Sequence, residues 1–249
     1  MKSKNKIFNN FFSIAIAIFI ALLIRSLLFE PFNIPSGSMK PNLLVGDFIF
    51  VSKYSYGYSR HSFPFSLGDP NGNGLLKGKY FSKSPERGDV LVFKTPENNR
   101  TDYIKRVIGL PGDDIQIING EIFINKSKVH RKKIKPFIDK QNNQIKIDNG
   151  RRRQYIEYLS GKEIKIIDFK DYTFADNTNI FNVPENHVFV MGDNRDNSQD
   201  SRFSTVGFIP FENIVGKAQF IFFSLENSRF LQIWKWPKSI RYNRIFKKI

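Results

Sequence analysis

A chain of 249 residues with 41% hydrophobic content is long enough for one large domain or two modest ones, each with a real core. It has no cysteine, which excludes disulfides, cysteine-ligated metals and thiol nucleophiles. Its 39 Lys and Arg against 23 Asp and Glu give a formal charge of +16. That surplus fits nucleic acid or an anionic membrane surface as a partner, and equally a compositional skew toward Lys, Asn, Ile and Phe.

Lys2, Lys4 and Lys6 precede an apolar run from Phe8 to Phe29, within which Phe11 to Ile24 is uncharged. A bilayer core of about 30 Å needs roughly 20 helical residues. The run reaches that length with Asn9 and Asn10 at one interface and Arg25 snorkelling at the other. A cleavable signal peptide shares the basic start and the apolar run, but it needs small residues just after the run. Here "IRSLLFEPF" follows, and Ala15 and Ala17 lie too early. The sequence therefore predicts a short basic cytoplasmic segment (1–7), an uncleaved transmembrane anchor (8–29) and an exported domain (30–249).

Next comes "PFNIPSGSMKPNLL", Pro31 to Leu44, a turn by composition but flanked by apolar Ile34, Met39 and Leu43. It is either a connector or the seat of a nucleophilic serine at the bilayer surface. Beyond it the pattern is strand-like: Asp47 to Tyr58, Gly88 to Lys94, and "DDIQIINGEIFIN", an alternating hairpin around Asn119-Gly120 with a type I′ signal. "NVPENHVFVMGDN" and "GKAQFIFFSL" add further strands. Two stretches read as insertions, one near 56–83 and one near 130–176, the second being a small β subdomain or a flap. Only the last fifteen residues hint at a helical period. The expected fold is mostly β, with a partly barrel-like or sandwich-like core.

The familiar catalytic arrangements are missing. His61, His130 and His187 lie in unrelated settings, no serine sits in a G-x-S-x-G elbow, and no H-E-x-x-H is present. "GDNRDNSQDSR" (Gly192 to Arg202) is rich in Asp and Asn, yet it lacks the glycine and glutamate of a calcium loop. A serine hydrolase without histidine needs another base, and lysine is the next candidate. In "DYIKRVIGLPGD" (Asp102 to Asp113), strand alternation puts Lys105 between apolar neighbours, and does the same for Arg106. Arginine keeps its proton at any useful pH, so only Lys105 can serve as a base. At an ordinary pKa a lysine is neutral in roughly one molecule in 2,500 at pH 7, so such a base must be buried among apolar groups. Pattern alone leaves open whether Lys105 is that base or a snorkelling surface lysine.

Four stretches taken together resemble the bacterial type I signal peptidases in order and spacing: "IPSGSMKPNLLVGD", "RGDVLVFK", "YIKRVIGLPGD" and "GDNRDNSQDSR". They span Ile34 to Arg202 and follow a single amino-terminal anchor; the first departs at Asn42, where threonine is common in the family. The resemblance implies a serine endopeptidase of the bacterial inner membrane that removes signal peptides from secreted preproteins after Ala-x-Ala sequences. It needs no cofactor or metal and binds no nucleic acid. It implies Ser38 as nucleophile, Lys105 as general base, and an oxyanion hole from the Ser36 hydroxyl and the Ser38 backbone N–H. Ser198 is implied as the residue that orients the lysine, with Asp193, Asp200 and Arg202 bracing the site. Ile34, Pro35, Met39, Leu43, Tyr103 and Ile104 are implied as the lining of shallow apolar clefts. The change at Asn42 is expected to touch packing rather than chemistry. The basic, aromatic stretch Lys235 to Lys248 fits contact with membrane lipid or a solvated tail. Rival readings are a self-cleaving repressor with the same pair of residues, which lacks an anchor, and a tethered nucleic-acid-binding module, which leaves the four stretches unexplained.

Overall fold

The structure is a computed structural model that describes residues 2–62, 78–138, 151–170, 173–226 and 232–249. Most of the first expected insertion, and residues 139–150 and 171–172 of the second, lie outside these.

The amino-terminal run forms helix α1 (Lys2–Leu27). Its Asn10–Leu27 stretch has mean hydropathy 2.1 and is long and apolar enough to cross a membrane. Only 6% of that stretch is buried among the described residues, so nearly all its apolar side chains lack a cover there. The helix passes almost directly into the first strand, and polar contacts fix the junction. Glu30 pairs with Arg25 at 2.9 Å and with the buried Lys53 at 2.8 Å, while the Tyr58 hydroxyl donates to the Leu27 carbonyl at 2.8 Å.

The mostly-β expectation holds. In chain order the strands are β1 (Phe29–Asn33), β2 (Asp47–Ser52), β3 (Tyr58–Ser59), β4 (Lys79–Tyr80), β5 (Val90–Lys94) and β6 (Asp102–Gly109). Then follow β7 (Asp114–Ile118), β8 (Glu121–Ile124), β9 (Ser127–Lys128), β10 (Arg131–Ile138), β11 (Arg151–Leu159) and β12 (Lys162–Ile167). The last four are β13 (Phe181–Asn182), β14 (His187–Met191), β15 (Ile209–Pro210) and β16 (Ile214–Ser224). One antiparallel sheet of seven strands, ordered β1-β2-β16-β5-β6-β14-β15, carries the site. It does not close into a barrel, since β1 and β15 remain its two edges.

Strand β2 alternates as its sequence demands: Ile49 and Val51 point into the core, while Phe48 and Phe50 stand half-buried on the other face. The central strands do not alternate between core and water. Val90 and Val92 of β5 enter one apolar cluster, and Leu91 and Phe93 enter another. A strand covered on both faces shows continuous burial instead of period two, which is why β6 buries Lys105 and Arg106 alike.

The hairpin of β7 and β8 turns at Asn119 and Gly120, both at positive φ (51° and 74°), as a type I′ turn requires. The described part of the second stretch expected as an insertion folds as a β subdomain. Its β10-β11-β12 sheet shares a core with the main sheet, Leu159, Ile164 and Ile166 packing in one cluster with Ile108, Phe189 and Met191.

The carboxyl-terminal stretch departs from the helical period. Its longest helix is α2 (Trp236–Ser239), after which the chain runs back along β16. There Phe246 N–H donates to the Ile221 carbonyl at 2.7 Å, and Ile249 N–H to that of Gln219 at 3.0 Å. The cause is electrostatic. Asp47, fully buried, accepts Nη2 of Arg241 at 3.2 Å, Nε of Arg244 at 3.0 Å and the Ser224 hydroxyl at 2.7 Å. Arg241 and Arg244 therefore belong to an internal ion cluster, and a wholly solvated tail is ruled out. Truncating Asp47 to alanine leaves two guanidinium groups without a counter-ion, so Asp47→Ala is expected to lower stability by about 3–5 kcal/mol in urea unfolding.

Candidate active site

The loop after β1 is drawn onto the sheet by its apolar residues. Ile34, Met39 and Leu43 sink into the cluster formed with Ile49, Val51 and Ile104. Backbone bonds Ile34 N–H to Asp47 O (2.8 Å) and Gly46 N–H to Ile34 O (3.0 Å) close the loop's neck. The serines between these anchors are held over the sheet: Ser36 is exposed, and Ser38 is 7% exposed. Strand β6 delivers Lys105 from below. Its amine, 4% exposed as a residue, donates to Ser38 Oγ at 2.9 Å and to the Ile104 carbonyl at 3.1 Å. Ser36 Oγ lies 3.3 Å from Ser38 Oγ.

Burial, above all, lowers the Lys105 pKa from 10.5 to about 8. Asp200 and Asp193 pull it up, and Arg202 pushes it further down. At a pKa of about 8, roughly one molecule in ten carries a neutral amine at pH 7. The folded state protonates Lys105 less readily than the unfolded chain. Below pH 8 this costs stability of about 3 kcal/mol, and the cost fades as pH rises toward 10.5 and both states lose the proton.

The remaining implied residues gather on the loop from Gly192 to Arg202, between β14 and β15. Asn194 N–H donates to the Ser38 carbonyl at 2.9 Å, and its side-chain amide to the Gly37 carbonyl at 2.9 Å, so this loop holds the serine loop directly. Asp193 receives both Nε and Nη2 of Arg106, at 2.8 and 2.7 Å. Asp200 receives Nε and Nη2 of Arg202, at 2.8 and 2.9 Å, and Gly192 N–H at 3.0 Å. Burial alone would raise the Asp200 carboxyl, but Arg202 and these donors hold it below the usual carboxylate range. Ser198 is enclosed without a well-formed hydrogen bond, to Lys105 or to any described residue, although its hydroxyl lies near enough to Asp200 to favour the charged carboxylate.

Of the cleft residues, Pro35 is exposed and Tyr103 half-buried, while Ile34 and Ile104 keep 3% and 9% of their surface. Met39 and Leu43 have none, so they back the cleft from beneath instead of lining it.

Three contributors were not assigned to the site from the sequence. Asn42, expected to affect packing alone, donates through its amide to Asp193 Oδ2 and to the Lys165 carbonyl, both at 2.7 Å. It thus ties the serine loop, the Asp193 pair and the inserted subdomain together. Glu157 of β11 receives Nη1 of Arg195 at 2.6 Å, and both side chains are buried. Gly192 lets the two loops touch: a Cβ there would sit 2.2 Å from Ser198 Oγ and 2.6 Å from the Ser38 carbonyl oxygen. Only Asn42 left a sequence signal, as the departure from the family's usual threonine.

Known proteins share this arrangement's sequence over nearly all its length. A family model described as "Signal peptidase, peptidase S26" matches residues 7–223. The chain belongs to the signal peptidase family, peptidase S26. It is 42% identical to a signal peptidase I of Rickettsia typhi over all of this chain and 96% of that protein. A signal peptidase I of Rickettsia conorii is 43% identical over 95% of this chain and 91% of its own. A crystal structure of a signal peptidase I from Enterococcus faecalis shares 26% identity, covering 54% of this chain and 97% of that one, at a TM-score of 0.32. Membership makes the chain a serine peptidase that acts on the signal peptides of preproteins, and α1 is compatible with a membrane enzyme. Because Gly192 has no room for a methyl group, Gly192→Ala is expected to separate the two loops. Peptidase activity should fall at least about 10²-fold, read with a preprotein substrate, while circular dichroism keeps its strand signal.

Proposed function

We propose that this signal peptidase cuts after small residues of the Ala-x-Ala type, with Ser38 as nucleophile and Lys105 as general base. The observation that carries the reading is the enclosed contact of 2.9 Å between Lys105 Nζ and Ser38 Oγ, with the amine's pKa lowered to about 8. Neutral Lys105 takes the Ser38 hydroxyl proton as Oγ attacks the carbonyl carbon of the scissile peptide. The resulting oxyanion faces the Ser36 hydroxyl and the Ser38 backbone N–H. Protonated Lys105 then gives its proton to the departing amine, leaving the signal peptide esterified to Ser38. Water then attacks the ester carbonyl as Lys105 takes its proton, and Lys105 returns that proton to Ser38 Oγ as the acyl–oxygen bond breaks.

Strand pairing supports an extended substrate. On β6, β14 pairs only from Arg106 onward, so among the described residues Asp102 to Lys105 have no strand on that side. A peptide added there makes main-chain hydrogen bonds, and its alternate side chains face the same way. The first and third residues before the cut would then face Ile34, Ile104 and Tyr103. The cleft is shallow because Met39 and Leu43 fill the space beneath, which favours small side chains. Asp193, Asp200 and Arg202 keep the loop around Lys105 in place through their paired hydrogen bonds. Lys2, Lys4 and Lys6, in the first turns of α1 ahead of its apolar stretch, favour a cytoplasmic amino end, with the peptidase domain on the exported side of the bacterial inner membrane. Exposed Ile233 and Trp234 suit contact with lipid there.

With the enzyme reconstituted in lipid and a preprotein bearing an Ala-x-Ala site, Ser38→Ala and Lys105→Ala should each lose about 10⁴-fold in rate or more. Ser36→Ala should lose about 10²–10³-fold. Since the base works only when neutral, the wild-type rate should rise with pH about tenfold per unit and level off above about 8. Wild-type rates in both dyad variants, or a flat profile from pH 6 to 10, would defeat the assignment.

A further inference from the structure

A cavity of about 590 Å³ opens beside the Arg106–Asp193 pair, and Asn42 and Arg106 form part of its wall. Four lysines line it: Lys162 of β12, Lys217 of β16, and Lys247 and Lys248 of the carboxyl-terminal stretch. The carboxylates facing them are Asp89 and Glu163, and the exposed Glu86 stands 3.8 Å from Lys162. Asp89 is already shared, with Lys217 at 2.7 Å and Lys162 at 3.0 Å, and Arg106 is matched by Asp193. Lys247 and Lys248 form no ion pair with any described residue. Even if Ile249, which also lines the cavity, contributes a carboxylate, positive charge remains in excess. The two lysines are not on a loose end, because Ile221 N–H donates to the Lys247 carbonyl at 3.0 Å and Lys248 bridges to Phe220. The amine of Lys247 is pushed below its ordinary pKa by burial and by Arg244 and Lys165, with only Asp47 opposing. A group of cations crowded in this way lacks an anion.

The mouth of the cavity indicates which anion. A line of rings leads to it from the end of α1: Phe29 to Phe50 (6.1 Å), Phe50 to Phe220 (5.4 Å), and Phe220, in the cavity wall, to Phe246 (6.4 Å). Phe246 is 76% exposed. A phosphate beside lysines with an apolar track leading back to the anchor is the pattern of a lipid headgroup site. We propose that this cavity holds the phosphate of an anionic phospholipid, whose acyl chains run over the Phe220 and Phe246 rings toward α1. The inference rests on α1 as a membrane anchor, and it does not depend on the catalytic assignment.

The full chain, with Ser38→Ala to prevent turnover, is purified in neutral detergent and offered phosphatidylglycerol or phosphatidylcholine, and retained lipid is counted by native mass spectrometry. One phosphatidylglycerol should be retained and phosphatidylcholine should not. The double variant Lys247→Gln, Lys248→Gln should bind phosphatidylglycerol about 30-fold more weakly. The control Lys235→Gln, Lys238→Gln, which removes the same charge outside the cavity, should bind as the parent does. Thermal unfolding of each variant shows whether it is folded. Equal retention by both double variants, or retention of phosphatidylcholine, would overturn the site. A third arm adds inorganic phosphate: displacement of the lipid at micromolar phosphate would overturn the lipid as occupant in favour of a soluble anion.

Discussion

A lysine amine can act as a base near neutral pH only if the penalty that burial places on its charged form is not undone by nearby carboxylates. At Lys105 that balance decides the site, because Asp193 and Asp200 are both close enough to pull its pKa upward. Neither acts as a bare charge. Arg106 grips Asp193 through two nitrogens, and Arg202 grips Asp200 in the same way. Arg202 offsets part of the pull on the amine, and desolvation stays the leading influence. The acids can therefore order the loop through hydrogen bonds while the pKa of the Lys105 amine stays below its ordinary value.

The same requirement accounts for the fold around the site. Enclosing an amine needs apolar walls, and these come from Ile34, Met39, Leu43 and Ile104, residues that a solvent-facing turn would not carry. It also needs the loop from Gly192 to Arg202 pressed against Ser38, which Gly192 permits and Asn194 fixes. Glu157 and Asn42 then join the β10-β11-β12 subdomain to this loop, so a stretch far from the serine and lysine in sequence supports the centre. Removing one partner of these buried pairs leaves a charge without a counter-ion, a larger effect than breaking a surface pair.

Much of this was legible in the chain itself. Composition and turn signals gave a mostly β domain after an apolar helix, and Asn119-Gly120 marked its hairpin by the positive φ that its turn demands. That Lys105 rather than Arg106 is the candidate base followed from proton affinity alone, although alternation could not separate them, because β6 is covered on both faces. Other features were hidden because they depend on partners distant in sequence. Glu157 meets Arg195 across 38 positions, and Asp47 meets Arg244 across 197. Charge counting read Arg241 and Arg244 as part of a basic tail, whereas a single buried aspartate draws them inside.

The central claim is the depressed pKa of one amine, and it can be read directly. Titration of the Lys105 side-chain nitrogen by NMR, on ¹⁵N-lysine-labelled protein in micelles and assigned by its loss in Lys105→Arg, reports the midpoint without reference to turnover. The account predicts a midpoint near 8. A midpoint at the ordinary lysine value, above about 10, would mean that the amine is charged at neutral pH and cannot take the Ser38 proton.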